Sequence, residues 1–255
     1  MAMLRKPYLA YAELTTFIVA SICNSLILQA NVFIDAVFVG NVVSTDAMAV
    51  INLFAPLLMM VSMVPMLLAE GSMVAESRAL GEQDYQQVNR TFMVNLAGGL
   101  LFSLAVALPI TLFAPSFVSL YTDNVRLYPL AIEYLPVAPF IGVAFAIQNS
   151  YTVFLQLCGK ASLVVRVTIA QMVINLLADL LFIVVFGWGL QGAVFATICS
   201  YLLSLVMIVP VASKHIVPDF MCSAPCVFIL SYILSVILLN RLSQHYLFYY
   251  QFLLL

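Results

Sequence analysis

Apolar residues run through the chain in long blocks, and the polar ones gather into short breaks between them. A helix rises about 1.5 Å per residue, so roughly twenty apolar residues cross the hydrocarbon layer of a bilayer. The pattern predicts seven spans, at 12–39, 47–74, 91–113, 130–156, 167–186, 192–212 and 220–239, with an apolar tail at 246–255. That tail is too short to cross as a helix, so the sequence reads as truncated, stopping partway into a further apolar segment.

Several spans are interrupted by polar residues at helical spacing. In the fifth, Gln171, Asn175 and Asp179 follow one another at intervals of four, and Thr168 begins the same stripe, so all lie on one face. A carboxylate in such a helix costs about 2.5–3.5 kcal/mol on insertion scales and reads by default as functional. The simpler alternative is glue to a neighbouring helix. The first span carries a second stripe, Asn24, Asn31 and Asp35, at offsets of seven and four. From the helical rise, Asp35 lies roughly 7–8 Å inside the outer end of its span, Asp179 about 12 Å and Thr197 of the sixth span about 7–8 Å. Two acids and a hydroxyl on three helices thus share one layer. In the sixth span Thr197, Tyr201 and Ser204 form one polar face.

The fourth span begins near Glu133 and Tyr134, contains Pro136 and Pro139, and ends in the stripe Gln148, Thr152 and Gln156 beside Asn149. A broken helix of this kind either lines a transport cavity or supplies interhelical hydrogen bonds. The second span is rich in methionine (Met59, Met60, Met63, Met66) and holds Pro56 and Pro65. Soft side chains suit a surface that accepts varied ligands, or fill gaps in a kinked core. Glu70 and Glu76, near its inner end, are expected to be solvated or paired. Gly99 and Ser103 form a small-xxx-small pair that predicts close packing of the third span. Arg78–Arg90 reads as a polar connector with a short surface helix.

Composition agrees with a multi-pass, all-α membrane protein: the 255 residues are 65% hydrophobic and 8% charged, with mean hydropathy +1.13. A net charge of −2 gives no sign of a nucleic-acid partner. With the N-terminus in the cytoplasm, Arg5, Lys6, Arg78, Arg90, Lys160, Arg166 and Lys214 face inward and only Arg126 and Arg241 outward, the asymmetry expected of a plasma-membrane protein, here of the bacterial inner-membrane kind. The run after Arg5 and Lys6 is too long for a signal peptide and lacks a small-residue cleavage site. Five scattered cysteines (Cys23, Cys158, Cys199, Cys222, Cys226) fit no zinc pattern and read as free, buried thiols. No Walker loop, nucleophile elbow or metal-spaced histidine motif occurs, and His215 and His245 lie outside the spans, so an enzyme is not expected.

Asp35-Ala-Val-Phe-Val-Gly40, Arg78-Ala-Leu-Gly81 followed by Asp84, Leu157-Cys158-Gly159-Lys160, Asn175-Leu-Leu-Ala-Asp179 and Gly187-Trp-Gly-Leu-Gln-Gly-Ala193 together resemble the multidrug and toxic compound extrusion (MATE) family. The resemblance covers roughly residues 10–213. It implies an amino-terminal lobe of six helices, from a family with two such lobes that exports cationic, amphipathic compounds in exchange for Na⁺ or H⁺. Residues 214–255, the seventh span and its tail, depart from the family's second lobe. The chain is therefore expected to be an incomplete half that pairs with itself or with another half-transporter, or a non-transporting fragment.

The resemblance places the coupling ion at Asp35, Asn175, Asp179 and Thr197, which would also be the metal ligands if that ion is Na⁺. It places Tyr134 and Asn149 in the cavity. The polar stripes add Asn31, Gln148, Gln171 and Tyr201 to the expected substrate cavity, and the methionine face adds Met59 and Met63. No other cofactor is expected. Two nearby carboxylates in a low-dielectric site cannot both ionise cheaply. Such a pair takes up a proton, or holds Na⁺ with oxygens from Asn175 and Thr197, and ion entry then weakens the grip on a cationic substrate. A lipid-linked oligosaccharide flippase of the same superfamily is the alternative. Gripping a pyrophosphate favours deep Arg or Lys, whereas the deep charges of this chain are acidic.

Overall fold

The computed structural model describes residues 5–212, and side chains from Ile18 on. The described chain folds into α1 (Arg5–Val42), α2 (Thr45–Gly81), α3 (Tyr85–Leu112), α4 (Ala114–Tyr121), α5 (Leu127–Tyr134), α6 (Pro139–Leu157), α7 (Ala161–Asp179) and α8 (Gly189–Ala212). Six of its helical segments are long and apolar enough to cross a membrane, matching the first six expected spans. The seventh span, the tail and the expected boundary at residue 213 lie outside the described residues.

Helix starts follow local chemistry. The Ser44 side chain accepts from the Ala47 N–H at 3.0 Å to open α2, and Asp84 accepts from the Gln87 N–H at 3.0 Å to open α3. Only residues 82–84 separate these helices, with Gln83 in the left-handed region at φ 58°. The expected connector Arg78–Arg90 is thus corrected: its ends are helix, because the Asp84 cap lets α3 begin at once.

Prolines set the other breaks. The fourth span divides into α5 and α6 around residues 135–138, where the Tyr134 carbonyl accepts from the N–H groups of Val137 and Ala138 at 3.2 and 3.0 Å. Within α2, Pro65 has no N–H for the Val61 carbonyl, and Ser103 of α3 donates to that carbonyl instead at 3.2 Å. One residue pair back, a Cβ on Gly99 would lie 3.5 Å from Pro65 Cβ, so the expected small-residue contact does pack α2 on α3. Helix α6 occupies the middle, against α2, α3 and α8, and most of its residues are buried. Gly142 lets it approach α2, because a Cβ there would fall 2.6 Å from Val61 Cγ1.

The fifth span holds a feature that the apolar pattern does not predict. After Asp179 the helix widens into a π-helical turn, Leu180–Val185. The Phe186 N–H donates to the Leu181 carbonyl at 3.0 Å, skipping Phe182, whose carbonyl accepts from the Trp188 N–H at 2.9 Å. The Trp188 ring stacks on Phe182 at 5.2 Å and 7°. On the other side Gly192 of α8 comes so near that a Cβ would stand 3.1 Å from the Phe182 carbonyl carbon. A longer α8 side chain at that point and a regular α-helix through Phe186 are both replaced by this interlock.

Glu76 is the other correction. It was expected to be solvated or paired, but it is fully buried on α2 with neither carboxyl oxygen hydrogen-bonded. Helix packing encloses it on a face that the sequence presents as the end of a span. Among the described residues Cys23, Cys158 and Cys199 are free thiols. Cys158, just past α6, has its thiol pushed up to about 11, first by burial and then by the charge of Glu76, against the opposing pull of Lys160.

Candidate functional site

Helices α1 and α7 pack together along their polar stripes and run in the same direction. Their contacts keep one register. Asn24 meets Thr168, Asn31 meets Asn175 and Asp35 meets Asp179, each pair 144 residues apart. The two acids of the layer expected from depth therefore face each other across α1 and α7.

At the rung nearest the C-terminal end of α7 the Asp35 and Asp179 carboxyl groups lie close enough for one, when protonated, to hydrogen-bond the other. Asp179 is 1% exposed and both its oxygens lack any other partner. Two carboxylates facing one another are both acceptors, so the pair has room for one proton or one cation between them. One rung inward the Asn31 amide donates to Asn175 Oδ1 at 2.8 Å and to Asp35 Oδ2 at 3.3 Å. Turned about its amide axis, Asn175 presents its NH₂ to both Asp35 oxygens at 3.1 Å. Either amide can therefore steady Asp35 as a carboxylate, or turn its oxygen toward a bound cation. Four oxygen-bearing side chains converging between α1 and α7, two of them buried and two half-buried, fit a hard monovalent cation such as Na⁺ as well as a proton. Among the described residues no cluster of three or more His, Cys, Asp or Glu offers a transition-metal site.

The remaining expected residues divide. Gln171 and Gln148 meet, the Gln148 amide donating to Gln171 Oε1 at 3.3 Å. Tyr201 of α8 lies within the field of Asp35 and its ring meets Phe145 edge-on at 6.1 Å. Thr197 packs on the same helix but its hydroxyl donates to the Ala193 carbonyl at 3.0 Å, so it enters no hydrogen bond with the acid pair. Asn149 leaves its buried amide nitrogen unpartnered, on the α6 face that carries Phe145 one turn away. Tyr134 is buried on α5, which packs against α2 and α8. Met59 and Met63 are 70% and 60% exposed on α2. The residues that sequence reasoning left without a partner are Asn24 and Thr168. The repeated offsets of seven and four on both helices were the signal that pairs them.

Comparison with known proteins agrees with this architecture. The model of the family described as MatE matches residues 20–181. The chain is 29% identical over 153 residues to Protein DETOXIFICATION 47, chloroplastic, of Arabidopsis thaliana, a match covering 58% of this chain and 27% of that protein. Among solved structures, a MATE in complex with MaD5 aligns with TM-score 0.69 at 19% identity, over 77% of this chain and 44% of the other. An outward-facing multidrug resistance MATE transporter of the MOP superfamily aligns at 0.66 and 21%, over 87% and 50%. A MOP superfamily transporter from Pyrococcus furiosus, described as having a binding pocket of reversed polarity, aligns at 0.65 and 24%, over 91% and 52%. The chain therefore spans about a quarter of the plant relative and about half of each solved transporter. With six membrane-length helices in the expected order and the family model covering more than half its length, the chain belongs to the MatE family, the multidrug and toxic compound extrusion transporters.

Proposed function

We propose that this chain forms the amino-terminal lobe of a secondary active antiporter that exports cationic, amphipathic compounds in exchange for Na⁺ or H⁺. The observation that carries the reading is the pairing of buried Asp179 with half-buried Asp35, held in register by Asn31 and Asn175 on two parallel helices. An unpaired acid in a membrane span is expensive, and a pair facing each other with no cation between them more so. Binding a proton or Na⁺ relieves that repulsion, so the pair is a place where the ion gradient does work on the conformation. Neutralising the two acids when the ion enters weakens their hold on a cationic cargo. Thr197 keeps lone pairs for the ion, since its hydroxyl proton goes to the Ala193 carbonyl. Tyr134, Gln148, Asn149, Gln171, Tyr201, Met59 and Met63 belong to the cargo's path.

The protein sits in a plasma membrane with its N-terminus in the cytoplasm, since the basic ends of the helices gather on one side. A second lobe supplies the opposite wall for rocking. Among the described residues the deep acidic groups (Asp35, Glu76, Asp179) have no deep basic counterpart, which favours a cationic cargo over a pyrophosphate headgroup.

The test is ion-coupled efflux from vesicles carrying the assembled transporter. Asp35→Asn and Asp179→Asn are each expected to abolish coupling while the chain still inserts. Normal transport by either variant refutes the assignment.

A further inference from the structure

The acid pair is the outer end of a longer polar column. Below it, Gln171 meets Gln148 of α6, and Thr168 meets Asn24 of α1. Helices α6 and α7 are antiparallel, joined by the short turn at residues 158–160. From the Gln148–Gln171 contact, four residues further along α6 and three back along α7 bring Thr152 to the level of Thr168. Thr152 is buried and its hydroxyl has no partner. Four residues further again, Gln156 continues the same face and is partly exposed at the end of the bundle that carries Lys160 and Arg166.

One donor of this column, the Thr152 hydroxyl, has no acceptor among the described residues. The Thr168 hydroxyl faces two acceptors as placed, Asn24 Oδ1 and, at 3.0 Å, the Val164 carbonyl. It has one hydrogen, so it donates to one of the two. At the same level the buried Thr152 hydroxyl finds no partner at all. Apolar bundles in lipid do not leave such groups dry.

We infer that Asn24, Gln148, Thr152, Thr168 and Gln171 form a hydrated inner station, a water-filled path joining the Asp35–Asp179 pair to the basic end of the bundle through Gln156. Its lining is neutral, so it passes a hydrated cation or a proton-bearing water chain without trapping either. The inference rests on the proposed role of the acid pair for its purpose, but not for its existence. It gives the coupling ion an exit inside the lobe, separate from the wide cavity between lobes.

Thiol accessibility tests it in the full chain, reconstituted in nanodiscs, with the five native cysteines replaced by serine or alanine. Thr152→Cys and, as neighbour control, Val153→Cys are exposed to a small cationic methanethiosulfonate; Val153 is also buried but apolar. Both variants must match the parent in thermal unfolding, and Thr168→Cys serves as a second reporter if Thr152→Cys does not. The expected result is that the polar position reacts about tenfold or more faster, since reaction follows solvent access of the thiolate. Adding Gln156→Phe to Thr152→Cys should slow that reaction to the control rate. Equal rates at Thr152→Cys, Thr168→Cys and Val153→Cys overturn the station, and insensitivity to Gln156→Phe overturns its inner mouth. The readout needs no transport. A chain that labels at Thr152→Cys but shows no ion coupling keeps the path and loses the antiport reading, and the opposite pattern loses only the path.

Discussion

Asp179→Asn should make the chain more stable. In the native lobe Asp179 is buried, faces Asp35, and has no hydrogen-bond donor on either oxygen. An asparagine has nearly the same shape, carries no charge, and supplies an N–H that can donate to the Asp35 carboxylate. A hydrogen bond to a charged group contributes about 1.5–3 kcal/mol net, and the new amide leaves its own oxygen in the place of an unsatisfied one. Taking the lower part of that range, the gain is about 1.5–2 kcal/mol, worth roughly 3–8 °C in a protein of this size. The assay is thermal unfolding in mild detergent, followed by a dye that reacts as the cysteines become exposed. Asp35→Asn should gain less, because Asp35 already receives the Asn31 amide. A melting temperature for Asp179→Asn at or below the parent's would refute the reasoning. It would mean that the pair is already satisfied, and the stored repulsion on which the coupling proposal depends would be absent.

The interlock at the π turn predicts opposite signs for two glycine substitutions. Gly192→Ala drives a Cβ to 3.1 Å from backbone that cannot yield and should lower stability by about 1–3 kcal/mol, whereas Gly71→Ala, with open space around it, should raise it by up to about 1 kcal/mol in the same melting assay. Asn31→Leu removes the amide that bridges α1 and α7 and should cost about 1–2 kcal/mol in thermal stability. Maleimide alkylation of Cys158 at neutral pH should be slow and should accelerate as pH approaches 11. Glu76→Gln should speed it at fixed pH by removing the charge that opposes the thiolate, and an unchanged rate would show that the two groups do not interact.

Much of the site was legible because apolar surroundings make polar residues conspicuous. The stripes Asn24–Asn31–Asp35 and Thr168–Gln171–Asn175–Asp179 stand out by spacing alone, and helical rise puts the two acids at one depth. Their adjacency was not legible, since nothing local to α1 names its partner. The π turn was hidden for a different reason: Leu180–Val185 is uniformly apolar, and the groups that meet it, Gly192 and Trp188, lie beyond it. Glu76 misled because a charge near the end of a span reads as solvated, whereas helix packing extends the enclosed region to it. Thr197 shows a local bond that spacing does not foretell: its hydroxyl donates to its own helix backbone, which leaves its oxygen lone pairs for other partners.

The constant offset between α1 and α7 also bears on how the lobe is made. Synthesis proceeds at about 5–20 residues per second, so each rung of α1 enters the membrane roughly 7–30 s before its mate on α7 exists. During that interval Asn24, Asn31 and Asp35 face lipid or the insertion machinery without the groups that later satisfy them, on the span that is least enclosed even in the finished bundle. The first helix must therefore be held, by the insertion apparatus or by a membrane chaperone, until the fifth span arrives. Slowing translation between the two should raise the fraction of nascent chains in which α1 slips out of the bilayer.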